Sequence, residues 1–198
     1  MNRNALFADI DSLVARAASI LRNNYNLYYP KNGGADPNER DLTTALACAV
    51  RELRPDWRFF MEVPVNRGYH GNKEAKIDQL YLAGPSKEGD PAFAILVESK
   101  NIHSPKQFAQ ISGDFAKMQI FVGKPLKFGL PFPERRLHLA LMMDWRSESA
   151  LKQKLTAVQG ASSPEERPII HEIRPSPDTG EEPQQLAALC RWVGPWGS

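Results

Sequence analysis

The chain has 198 residues, two cysteines and a formal net charge of +2 at pH 7. That length supports one domain with a substantial core, not two comfortable ones. The near-neutral charge excludes a globally cationic nucleic-acid binder, so any such surface is a local patch, and two distant cysteines exclude a disulfide framework. No apolar run is long enough to span a bilayer, and the opening Met1-Asn2-Arg3-Asn4 has no signal-peptide core. The expectation is a soluble, cytoplasmic protein with no membrane partner.

Leu6, Ile10, Leu13, Val14, Ala17, Ile20 and Leu21 form one apolar stripe, which predicts a helix over about 4–22. A polar link with Tyr25, Tyr28 and Tyr29 follows, from Asn23 to Ala35. Asp36-Pro37-Asn38-Glu39 reads as a helix start, with Asp36 as N-cap, Pro37 in the first turn and Glu39 at the reciprocal position of a capping box. That helix carries Leu42, Ala45, Leu46, Ala49, Val50 and Leu53 and stops before Pro55. Cys48, inside it, is expected as a small buried hydrophobe.

Arg58 to Val65 is predicted as a strand with Phe59, Met61, Val63 and Val65 on one face. A glycine-bearing polar loop, Asn66 to Lys73, leads to a second strand from Lys76 to Leu82 and a third from Phe93 to Val97. The turn-rich connector from Gly84 to Asp90 makes these two an antiparallel hairpin. Ser104-Pro105 opens a helix with Phe108, Ile111, Phe115 and Met118 on its buried face, and Arg136 to Asp144 is a central strand. A short helix is predicted over Ser147 to Leu155 and an edge strand over Ile169 to Ile173. After a proline-bearing connection, Gln185 to Trp192 is expected as a last helical turn or two. The order places the chain in the α/β (α+β) class, with a mixed central sheet flanked by helices.

The third strand ends in Glu98-Ser99-Lys100, an acid and a base closing an apolar run. Side chains alternate, so Glu98 and Lys100 share a face roughly 6–7 Å apart, and Asp78 on a paired strand stands about 5 Å to the side. Leu80, Leu82, Ala94 and Leu96 share those faces, so the charges terminate apolar rows where a helix should pack. Two hard oxygen ligands beside one cation suit Mg²⁺ or Mn²⁺ orienting a phosphate and a water. The plainer alternative is a same-face surface salt bridge worth a fraction of a kcal/mol. The loop and strand residues Arg67, Tyr69, Lys73 and Lys76 mix cations with an aromatic, which suits contact with a phosphate backbone. His103 follows the acid–base pair as an alternative base, while His70 and His138 lack metal-ligand spacing.

These elements, with Asp78 and Glu98-Ser99-Lys100 in place, make residues 36–144 resemble the PD-(D/E)XK phosphodiesterase superfamily, the restriction-endonuclease-like fold. The helix over 4–22 and the extension over 145–198 lie outside the likeness, as additions to one nuclease-like domain. Ile77 replaces the proline that names the motif. The resemblance implies an α-β-β-β-α-β core and metal-dependent cleavage of nucleic acid, most simply DNA. It implies metal binding by Asp78, Glu98 and the Ser99 backbone carbonyl, with Lys100 holding or deprotonating the attacking water. It also brings in Glu39 as a further acid, in competition with its capping role, and Gln110 and Lys117 as polar residues of the following helix. A homodimer is left open, as is a catalytically silent module of the same fold that binds DNA or a protein partner.

Overall fold

The structure, a computed structural model, describes residues 3–28, 38–64, 76–85, 91–102, 104–120, 133–159, 168–174 and 183–194. Helices α1 (Arg3–Tyr28) and α2 (Glu39–Leu53) precede strands β1 (Arg58–Pro64), β2 (Lys76–Pro85) and β3 (Pro91–Ile102). Helix α3 (Pro105–Ile120), strand β4 (Arg136–Asp144), helix α4 (Glu148–Gln159) and strands β5 (Ile169–Arg174) and β6 (Gln184–Val193) follow. The six strands form one mixed sheet in the order β1-β2-β3-β4-β6-β5, with β3 and β4 parallel and the other pairs antiparallel. This is the helix-flanked mixed sheet expected, with β4 inside it and β5 at its edge.

Both sheet faces are covered, which is why β3 and β4 read as near-continuous apolar runs. On one face α1 and α2 lay Leu6, Ile10, Leu13, Leu42, Leu46 and Val50 onto Tyr81, Ile95, Val97 and Leu139. On the other, α3 and α4 lay Ile111, Phe115, Met118, Leu151 and Leu155 onto Leu80, Leu96, Ala140 and Leu189. Helix α1 also reaches β5, where Arg22 donates to the backbone carbonyls of Ile173 and Glu172 and Asp11 meets His171 at 2.9 Å. Those bonds tie the N-terminal helix to the last hairpin.

Several expectations are corrected. Residues 185–192 are strand, not helix: β6 pairs with β4 from Arg136↔Val193 to Asp144↔Gln185 and with β5 on its other side. Its Leu186-Ala187-Ala188-Leu189 run is buried on both faces, so it has no strand-like alternation to reveal it. Helix α1 runs through Asn23 and Asn24 to Tyr28, past the end expected at 22. The N-cap of α2 is Asn38, which accepts from the N–H groups of Arg40 and Asp41 while Asp41 accepts from the Asn38 N–H. Asp41, not Glu39, therefore closes the capping box, and the predicted cap Asp36 lies outside the described residues.

Cys48 is exposed on α2 rather than buried. On β1, Phe59 packs with the α1–α2 side and Val63 with the α3–α4 side, so they do not share the face expected. Between them Glu62 has φ +50, a left-handed conformation uncommon outside glycine, and Met61 is exposed. Val65 lies outside the described residues.

Replacing Asn38 with Ala removes one half of the capping box, and urea unfolding should report about 1 kcal/mol lost stability.

Candidate functional site

The β2–β3 register pairs Gln79 with Val97 and Leu80 with Leu96, and its continuation sets Asp78 across from Glu98. The two carboxylates are coupled through the backbone: Asp78 Oδ2 accepts the Ser99 N–H at 2.7 Å. Glu98 is only 3 % exposed and Ser99 is buried, while Asp78 and Lys100 are half-buried at the rim.

Helix α3 closes over this end of the sheet. Ile111, Phe115 and Met118 anchor it, and Asp114 borders that stripe. Lys117 sits farther round but is long enough to reach in, with its Nζ 2.6 Å from Glu98 Oε1. In the reciprocal pair, Lys100 Nζ lies 3.6 Å from Asp114 Oδ2. Neither contact is well aligned: Glu98 Oε1 and Asp114 Oδ2 are buried atoms without a hydrogen-bond partner in bonding geometry. Both pairs thus have charge proximity without directed bonds.

Burial pushes the Glu98 carboxyl up to about 7; the close Lys117 ammonium pulls it down, and the Asp78 and Asp114 charges push it further up. Asp114 is also raised, by burial above all, against the lowering influence of Lys100 and Lys117. Desolvation outweighs the ammonium partners in both cases. At neutral pH Glu98 is poised between its acid and its carboxylate.

The structure brings Asp78, Glu98, Lys100 and Lys117 together and adds Asp114, one turn beyond Gln110 on α3. Gln110 is exposed on α3. Glu39 is exposed on the first turn of α2, the helix that covers the opposite face of the sheet. Its charge is not among those acting on Glu98. Lys76 is exposed and pairs with Glu62 at 3.0 Å. Arg67, Tyr69, Lys73, His70 and His103 lie outside the described residues. The signal that could have found Asp114 is its place beside Ile111 and Met118, where a charge must meet a partner from the sheet.

Among the described residues, no three His, Cys, Asp or Glu side chains surround one point as a ready metal cage. The donors that fit a hard divalent cation are the Asp78 and Glu98 carboxylates, with the Ser99 carbonyl beside them. Glu98 Oε1 has no directed hydrogen bond, and the Lys117 ammonium 2.6 Å away would compete with a cation for it.

A carboxyl whose folded-state pKa exceeds its unfolded value binds protons preferentially in the fold, so its contribution declines as pH rises between the two values. Stability should therefore fall as pH rises from the ordinary glutamate range to about 7. Glu98→Gln should flatten that slope and raise stability at pH 8 by on the order of 1–3 kcal/mol, read from urea unfolding across pH.

Comparison with known protein families, with curated proteins and with solved structures finds no match.

Proposed function

We propose that this protein is a metal-dependent phosphodiesterase acting on nucleic acid, a DNA endonuclease in its simplest form. The observation that carries this reading is the placement of Asp78 and Glu98 side by side on adjacent strands, each within reach of the other's charge, with Lys100 two residues on and a buried Glu98 oxygen that has no directed hydrogen bond. Asp78 and Glu98, with the Ser99 carbonyl, would hold Mg²⁺ or Mn²⁺. The ion would supply a water of lowered pKa and neutralise charge on the phosphate.

The chain's own groups divide the remaining work. The Ser99 N–H fixes the direction of the Asp78 carboxylate. Lys100 Nζ lies 3.6 Å from Asp114 Oδ2. From there it would hold the attacking water or a non-bridging oxygen as charge develops on it. Lys117 balances Glu98 in the metal-free protein and must share that oxygen or release it when a cation is bound. Burial of Glu98 beneath α3 lowers the local dielectric, so each of these charges acts more strongly than in water.

A second reading has its own support. Lys117 already stands against Glu98 and no three-residue metal cage exists among the described residues, as suits a silent module that keeps the fold for binding.

Mn²⁺ should raise the melting temperature by binding the folded state, and should do so more strongly above pH 7 than below, because Glu98 must lose its proton. Glu98→Ala should abolish Mn²⁺-dependent cleavage of plasmid and oligonucleotide DNA while leaving metal-free stability unchanged or higher. Retained cleavage in that variant would remove the assignment. A wild-type protein inert with Mn²⁺ across substrates would favour the binding module.

A further inference from the structure

A second group of ionisable side chains lies on the α3–α4 face of the sheet, beside the carboxylates and opposite in charge. The register pairs His138 of β4 with Leu96 of β3 on one side and with Arg191 of β6 on the other. Paired residues project to the same face, and Arg136, two residues back from His138, shares it. His138 is fully buried, yet neither ring nitrogen has a hydrogen-bond partner among the described residues. A buried imidazole with both nitrogens idle is costly, whereas a leucine there would cost nothing of the kind.

The neighbours do not relieve that cost. Arg191 makes no ion pair among the described residues and lays its guanidinium 4.5 Å over the ring of Phe115. Arg136 is half-buried and donates to the Pro133 carbonyl at 3.3 Å, with the Glu134 charge near it. Burial, then the charges of Arg136 and Arg191, hold the His138 imidazole down to about 4, so the ring is neutral while two guanidiniums flank it. An oxyanion would meet the idle ring and the Arg191 guanidinium together. It accepts from both guanidiniums and from the ring N–H, and its charge favours the imidazolium.

The position matters as much as the chemistry. Glu98 pairs with Ala140, two residues beyond His138 on β4, which sets Glu98 and His138 diagonally apart by roughly 8 Å at ordinary strand spacings. Above them, α3 places Lys117 against Glu98 and Phe115 against Arg191. Lys117 and Arg191 are therefore cations bordering α3 beside the carboxylates, and Arg136 shares their face of the sheet.

We propose that Arg136, His138 and Arg191 form an anion subsite that holds a second phosphate of a nucleic-acid strand whose reacting phosphate lies at Glu98. The subsite rests on the nuclease reading for its place in the substrate, but its phosphate binding needs no metal and no cleavage. Arg136 and Arg191 are partly exposed and form its rim; His138 is its floor.

The test uses the full chain in EDTA, titrated with inorganic phosphate at low ionic strength and followed by the long-range ¹H–¹⁵N signals of the histidine rings. His138→Gln identifies the His138 signals. The expected result is a saturable shift of both His138 nitrogens toward the imidazolium pattern. Arg191→Gln and Arg136→Gln should each weaken phosphate binding by about tenfold, the scale of one charge-assisted contact. Ring signals that stay fixed in the wild-type protein overturn the subsite without recourse to any variant. So does a folded Arg191→Gln protein that binds phosphate as the wild type does. Phosphate binding at His138 in a protein that never cleaves DNA upholds the subsite and defeats only the cleavage reading. Mn²⁺-dependent cleavage with an unresponsive His138 does the reverse.

Discussion

Two parallel neighbouring strands cannot be joined by a tight turn, so the chain leaving β3 at Ile102 must cross the sheet before β4 begins at Arg136. That crossing carries α3, and the side chains of α3 complete the candidate site. Ile111, Phe115 and Met118 must face the sheet to bury their apolar surface, which leaves Asp114 and Lys117 above Lys100 and Glu98. The parallel register thus does two jobs. It carries Glu98 into the sheet interior, and it brings opposite charges down onto it from the helix that follows.

The electrostatics follow from that enclosure. Asp78, Glu98 and Asp114 face Lys100 and Lys117, three carboxylates against two ammoniums. One negative charge is left in a place with little water. A proton on Glu98 or a bound cation restores neutrality, and the raised proton affinity of Glu98 expresses the first of these in the metal-free protein. One strand over, around His138, the sign reverses: Arg191 has no carboxylate against it among the described residues, and Arg136 adds a second positive charge with Glu134 near it. A substrate carrying spaced negative charges with a cation between it and the acids would meet complementary surroundings at both points.

The parts of the fold that were legible in the sequence are those where a periodic pattern coincided with a breaker. The β2–β3 hairpin had two apolar strands around a Gly-Pro-Ser connector, and α3 had a Ser-Pro start with a clear stripe. Strand β6 was not legible because an Ala/Leu-rich run buried on both sides carries no period of two, and alanine favours the helical reading. The α2 start offered Asp36, Asn38, Glu39 and Asp41 within one turn, and only the backbone decides which pair closes the box. At the candidate site, Asp78, Glu98 and Lys100 could be placed together because strand alternation is strict. Asp114 could not, since its partner comes from another element. His138 looked like one more apolar-strand residue, and its two arginine neighbours depend on a β4–β6 pairing that a helical reading of β6 excludes.

The two edges of the sheet are protected in different ways. At β5, the Arg22 guanidinium of α1 takes backbone carbonyls that an incoming strand would otherwise find. At β1, no helix needs to serve as a guard: the left-handed turn of the backbone at Glu62 interrupts the regular row of donors and acceptors, and the charges of Arg58, Glu62 and Lys76 border it. A foreign strand approaching that side would find its hydrogen-bonding rhythm broken after two or three residues and a charge to desolvate beside it. The same left-handed residue that turns the face of β1 therefore makes that edge a poor template for an added strand.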